Sequence, residues 1–166
     1  MLRAQNQLPD SILQMLKGKS SQQQADLLAD YGTLIYQKNK ENATVAFDSA
    51  LAISTATKYL PGKAKAKKGK GLLLYYSGKY EGALSLLLEA ISDYDKAQDA
   101  DGKAGLFNDI ANMVRKHGDA DQAETYLRKA LAIYQQSNNL DGLANTNNNL
   151  GIVFETKGNL DSALLH

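Results

Sequence analysis

Asn108, Asn112 and Arg115, followed by Asn145 and Asn148, recur at the three- and four-residue intervals that place side chains on one side of a helix. An amide carries both a donor and an acceptor, so spaced asparagines can hold the main chain of an extended peptide without demanding a particular side chain. Arginine or lysine beside them favours an acidic side chain or a terminal carboxylate. The strongest local charge feature is the run Lys63-Ala-Lys-Ala-Lys-Lys-Gly-Lys70. Such a run could meet phosphate or an acidic partner, but it is ordinarily solvated surface. No adjoining stripe of aromatic and basic residues supports a nucleic-acid partner.

Other groupings fail as chemistry. The acids Asp93, Asp95, Asp99 and Asp101 before Gly102 suggest a calcium loop, yet Ala97 holds the first ligand position and Asn108 the closing one, normally Glu. Gly18-Lys-Ser20 has the tail of a phosphate loop, but Leu13 stands where its first glycine must be; Gly69-Lys70 is followed by Gly71, with Ala64 in the corresponding place. His117 stands beside Gly118 with no acid and nucleophile to complete a catalytic set. Cysteine is absent, and two histidines cannot form a multi-histidine metal site. No catalytic residue, metal or cofactor is expected.

These residues sit in a chain built for helices. There are 22 Ala and 25 Leu, two Pro and no Trp, a composition suited to closely packed helices rather than strands. Lys plus Arg number 19 against 18 Asp plus Glu, so no global field draws the molecule to nucleic acid or anionic lipid. The longest apolar run, Leu72 to Tyr76, is far short of the ~20 residues that span a bilayer. Met1 to Gln7 lacks the continuous apolar core of a signal peptide. Missing cysteine suits cytosol and periplasm alike, leaving the compartment open.

Position is supplied by a repeat of 40 residues. Ala43, Ala83, Ala123 and Ala163 fall on it, as do Ala50, Ala90 and Ala130, Gly62, Gly102 and Gly142, and Phe47, Leu87 and Leu127. Each unit reads as two amphipathic helices. In the third, Asp101 is placed to cap a helix whose apolar face is Leu106, Phe107, Ile110, Ala111 and Val114; it ends near Gly118 in a left-handed cap. The second helix buries Ala123, Leu127, Ala130, Leu131 and Tyr134. Asp141-Gly142 repeats the start signal, and Pro61 opens the equivalent helix of unit two.

Gly71, Leu74, Ala83, Leu87 and Ala90, and again Ala111, Val114, Ala123, Leu127 and Ala130, resemble the tetratricopeptide repeat family over roughly residues 22 to 166. HEAT-like repeats also run near 40 residues, but the internal Ala and Gly spacing fits them less well. The family's usual period is ~34, so the extra residues place this chain with long-repeat members resembling scaffold and motor light-chain proteins. Gly32 and Ile35 fall one residue out of frame, which predicts a shorter turn in unit one. Lys67 stands where Phe107 does and Lys70 at a usually apolar position, predicting a looser first helix with snorkelling lysines.

The resemblance implies an all-α fold, a right-handed α-solenoid of antiparallel helix pairs, divided as 1–21 (leader with a short helix), 22–60, 61–100, 101–140 and 141–166, the last truncated. It also implies that first helices line a concave groove, bringing Tyr36, Lys65, Lys68, Leu72, Tyr75, Asn108, Asn112, Arg115, Asn145, Asn148, Ile152 and Glu155 to it. Lys68 matches the family's clamp for acidic chaperone tails, but Leu72, Asp109 and Asn149 replace its other residues, so that specialisation is not expected. The implied function is non-enzymatic binding of a protein or peptide, with an acidic one favoured. Similar arrays precede output domains in bacterial signalling proteins. The alternative is an intramolecular regulatory or self-association domain, with Leu160, Leu164 and Leu165 poorly protected in a chain expected to be part of a longer protein.

Overall fold

The computed structural model describes residues 8–158. Among them are eight α-helices and no strand: α1 (Asp10–Leu16), α2 (Ser21–Ile35), α3 (Lys40–Ala56), α4 (Leu60–Tyr75), α5 (Tyr80–Ala97), α6 (Ala100–Lys116), α7 (Ala120–Ser137) and α8 (Leu140–Thr156). Short turns fold consecutive helices back on each other as antiparallel pairs, α2 on α3, α4 on α5 and α6 on α7. None of these helices is long and apolar enough to cross a membrane. The chain forms two compact units, one ending at Ala97 and the other starting at Gln98.

Polar side chains set the helix starts. A capping box opens α2: Gln23 N–H donates to Ser20 Oγ at 3.3 Å, and Ser20 N–H donates to Gln23 Oε1 at 3.0 Å. Asn39, Asp99, Asp119 and Asn139 cap α3, α6, α7 and α8 by accepting the amide hydrogen three residues on. The caps of α6 and α8 therefore lie two residues before the expected Asp101 and Asp141, because Gly102 and Gly142 supply the capped N–H groups. Asp101 instead accepts from Ser137 Oγ at 2.7 Å and Asn139 Nδ2 at 2.8 Å, tying the start of α6 to the α7–α8 joint. Pro61 lies in the first turn of α4, as expected.

The ladders are the packing code. Ala43, Ala50, Ala83, Ala90, Ala123 and Ala130 are all fully buried, as are Phe47, Leu87 and Leu127; Ala163 lies outside the described residues. In the first unit Leu8, Ile12 and Leu16 lay α1 against Leu28, Ala29, Ala46, Ala50 and Ala66. The Phe47 ring fits only because Gly32 and Gly69 face it: a Cβ would come within 2.7 Å of the ring at Gly32 and 2.1 Å at Gly69. In the second unit the expected faces of α6 and α7 are buried except for Leu131, which is half-buried.

Two expectations about the first unit are corrected. The α2–α3 turn is not shorter than its counterpart; residues 36–39 and 76–79 both span four positions. The difference is conformational, with Gly78 left-handed (φ 77°) and no left-handed residue in 36–39. Nor is α4 loose. It runs unbroken for 16 residues, and Lys63, Lys65, Lys67 and Lys70 are held by carboxylates of three neighbouring helices.

Candidate protein-binding surface

In the second unit α6 and α8 lie side by side, and their asparagines divide into two groups. Asn108 is buried. Its Nδ2 donates to Thr146 Oγ1 at 2.9 Å, and its Oδ1 accepts from Asn149 Nδ2 at 3.2 Å. Thr146 Oγ1 in turn donates to Gly142 C=O at 2.7 Å. Burial, with the nearby charges of Asp101 and Asp109, holds the Tyr134 phenol above its ordinary pKa. Asn108 thus corrects the sequence expectation: it joins α6 to α8 from inside and has no amide left for a ligand.

The other group faces outward. Asn112 is half-buried, Asn145 and Asn148 are exposed, and none of the three has a hydrogen bond among the described residues. Ile152 is half-buried and Glu155 exposed farther along α8. Arg115, one turn beyond Asn112, is half-buried, and its Nε is enclosed without a hydrogen-bond partner. Asn112 and Arg115 continue the side of α6 on which Asn108 meets α8, so these groups border the α6–α8 seam.

In the first unit the expected residues are largely engaged. Lys65 of α4 pairs with Asp30 of α2 at 2.7 Å. Tyr36 packs edge-on to Tyr76 at 5.3 Å and accepts a hydrogen bond from Gln37; Tyr75 meets Tyr76 edge-on at 5.3 Å. Lys68 and Leu72 are half-buried on α4.

The remaining lysines of the run are matched to acids of α3 and α5 that sequence reasoning missed. Lys70 pairs with Asp48. Lys63 meets Asp93 at 3.3 Å, while Lys67 reaches Asp93 at 2.8 Å and Glu89 at 2.9 Å. Burial pushes the Asp93 carboxyl up, but hydrogen bonds and charge from Lys67 and Lys63 outweigh it and hold the group below its ordinary pKa. Burial likewise opposes the Lys67 charge, and Asp93 and Glu89 overcome it, leaving its pKa raised. A signal existed: Glu89 and Asp93 lie 22 and 26 positions after Lys67, as Lys129 and Ile133 do after Phe107.

The discarded motifs have structural work. Gly18 is left-handed (φ 73°) just after α1, and Ser20 is the cap of α2. Of the acidic set, Asp93 is ion-paired, Asp99 caps α6 and Asp101 joins α7 to α8. Among the described residues no cluster of acids and histidines could hold a metal. Leu160, Leu164 and Leu165 lie outside the described residues.

Residues 103–166 match the family model for the tetratricopeptide repeat. No curated protein matches the sequence. The fold is similar to the crystal structure of BtubC (BKLC) from P. vanneervenii, with a TM-score of 0.66 and 23% identity, over 92% of this chain and 63% of that one. This chain therefore spans less than two thirds of that structure, and at such identity the likeness is one of fold.

Proposed function

From tetratricopeptide repeats in residues 103–166, a family of non-enzymatic protein-interaction modules, we propose that the α6–α8 surface binds an extended segment of a partner protein. One observation carries this reading: Asn112, Asn145 and Asn148 border the seam with no hydrogen bond among the described residues, while Asn108 and Asn149 beside them are joined. Extended backbone offers N–H and C=O groups at regular intervals, and each open amide can meet one of each. Affinity would come from the main chain and selectivity from the half-buried Ile152 and Arg115.

The test is selection from a displayed library of random dodecapeptides, followed by affinity measurement on the double variant Asn112→Ala, Asn148→Ala. Each lost hydrogen bond is worth about 0.5–1.5 kcal/mol, so affinity should fall about tenfold with the melting temperature unchanged. Peptides that bind wild type and double variant equally would overturn the reading.

A further inference from the structure

In the first unit α1 is held more lightly than its neighbours α2 and α3. Its seven residues fall short of the about 12–15 that an isolated helix needs for even marginal stability. No side chain caps its start, whereas Ser20 and Asn39 cap α2 and α3. It makes no ion pair among the described residues. What fixes it is a row of apolar side chains four residues apart, Leu8 just before the helix and Ile12 and Leu16 within it. They press on a seat made by Leu28 and Ala29 of α2 and Ala46 and Ala50 of α3, each fully buried. One amide adds to this: Gln24 Nε2 donates to Leu16 C=O at 3.3 Å and to Lys19 C=O at 3.1 Å. Beside it Leu13, Leu16, Lys17, Gly18 and Gln24 border an open cavity of about 240 Å³, so the packing under the end of α1 is incomplete. The connection to α2 is only residues 17–20, and Gly18 within it is left-handed (φ 73°).

We infer that α1 is a swappable strap: its seat on α2 and α3 takes the α1 of a second copy of this chain, giving a reciprocal dimer. The complement of the seat is known from the chain itself, and a second copy brings the identical apolar row. A strap that left without a replacement would open four fully buried residues to water. Reciprocal swapping keeps both seats covered and closes the assembly at two chains. A short, tightly turned connection favours the swap, because once opened it no longer has to fold back. The seat contains none of the residues assigned above to partner binding.

The experiment uses the full 166-residue chain, which has no cysteine. One preparation carries Leu13→Cys and another Gln24→Cys, residues of α1 and α2 that border the same cavity. The two are mixed at high concentration, incubated, diluted and treated with a short bismaleimide. Cross-linked pairs should form, and sedimentation of the cysteine-free chain should show a two-chain species. A Cβ added at Gly18 meets nothing within 4 Å, so Gly18→Ala penalises only the left-handed turn and should raise the dimer association constant about tenfold or more. Gly18→Asn, which tolerates that conformation, should stay closer to wild type. Ile12→Asp should remove the cross-link and the dimer, with hydrogen exchange fast in α1 and slow in α2 to α4. A Gly18→Ala chain that stays monomeric, or a dimer and cross-link that survive Ile12→Asp, would overturn the swap. Wild-type α1 amides that exchange only with global unfolding would overturn the strap.

Discussion

Lys67 Nζ and Asp93 Oδ2 lie 2.8 Å apart, with 13% and 4% of their side chains exposed. The same two positions one repeat later are Phe107 and Ile133. Phe107 packs on Tyr126 at 5.9 Å, and Lys129 lies over its ring at 5.8 Å. One helix-pair geometry is thus filled by an ion pair in one repeat and by apolar and cation–π packing in the next.

Because the pair is enclosed, breaking it on one side strands a charge. Asp93→Ala should cost about 3–5 kcal/mol, whereas Lys67→Phe with Asp93→Ile should be neutral or stabilising by about 1–4 kcal/mol. Urea unfolding of the single and double variants measures both. Equal losses in the two would contradict the exchange.

The pair also sets a pH dependence. Asp93, with its pKa lowered on folding, contributes stability that is present above the ordinary carboxylate pKa and lost as pH falls through its folded value. Lys67, with its pKa raised, contributes stability that is present below the ordinary lysine pKa and lost as pH climbs through its folded value. Melting temperature should be flat across neutral pH, then fall below about pH 4 and above about pH 10.5. The double Phe/Ile variant should lose less at both ends.

Second helices end in left-handed residues that are not glycine: Lys58, Gln98 and Asn138, all with φ near 55°. Glycine takes this conformation without the Cβ penalty and asparagine tolerates it. Lys58→Gly and Gln98→Gly should each stabilise by about 0.5–1 kcal/mol, and Asn138→Gly by less. Thermal melts would show the order.

Gly69→Ala tests the seat of Phe47. The added methyl meets the ring at 2.1 Å, and overpacking should cost about 1–3 kcal/mol or more. Phe47→Leu in the same chain should recover part of it.

Much of the fold was legible because the ladders at Ala43, Ala50 and Phe47 encode close helix approach, which depends on residue size and spacing alone. The caps were misplaced by two residues because Asp99 and Asp101 are both good caps, and only the fold shows which amide is presented. The candidate surface was half legible. Spacing put Asn108, Asn112 and Arg115 on one side of α6, but whether an amide faces water or Thr146 depends on a helix 38 residues away. Lysines at 63, 65, 67 and 70 looked like a free basic patch because their partners come from α2, α3 and α5.

The division among the asparagines also predicts stability. Asn108→Ala leaves Thr146 and Asn149 without their buried partner and should cost about 1–3 kcal/mol. Asn112→Ala and Asn148→Ala break no hydrogen bond among the described residues and should cost less than about 0.5 kcal/mol. Chemical denaturation of the three variants measures the contrast.

The most direct measurement is a two-dimensional NMR titration of side-chain amides with a library-selected peptide. Signals of Asn112, Asn145 and Asn148 should shift together and saturate at one Kd, with Asn108 and Asn149 little changed. Saturable shifts that spare Asn112 and Asn148 would contradict the account.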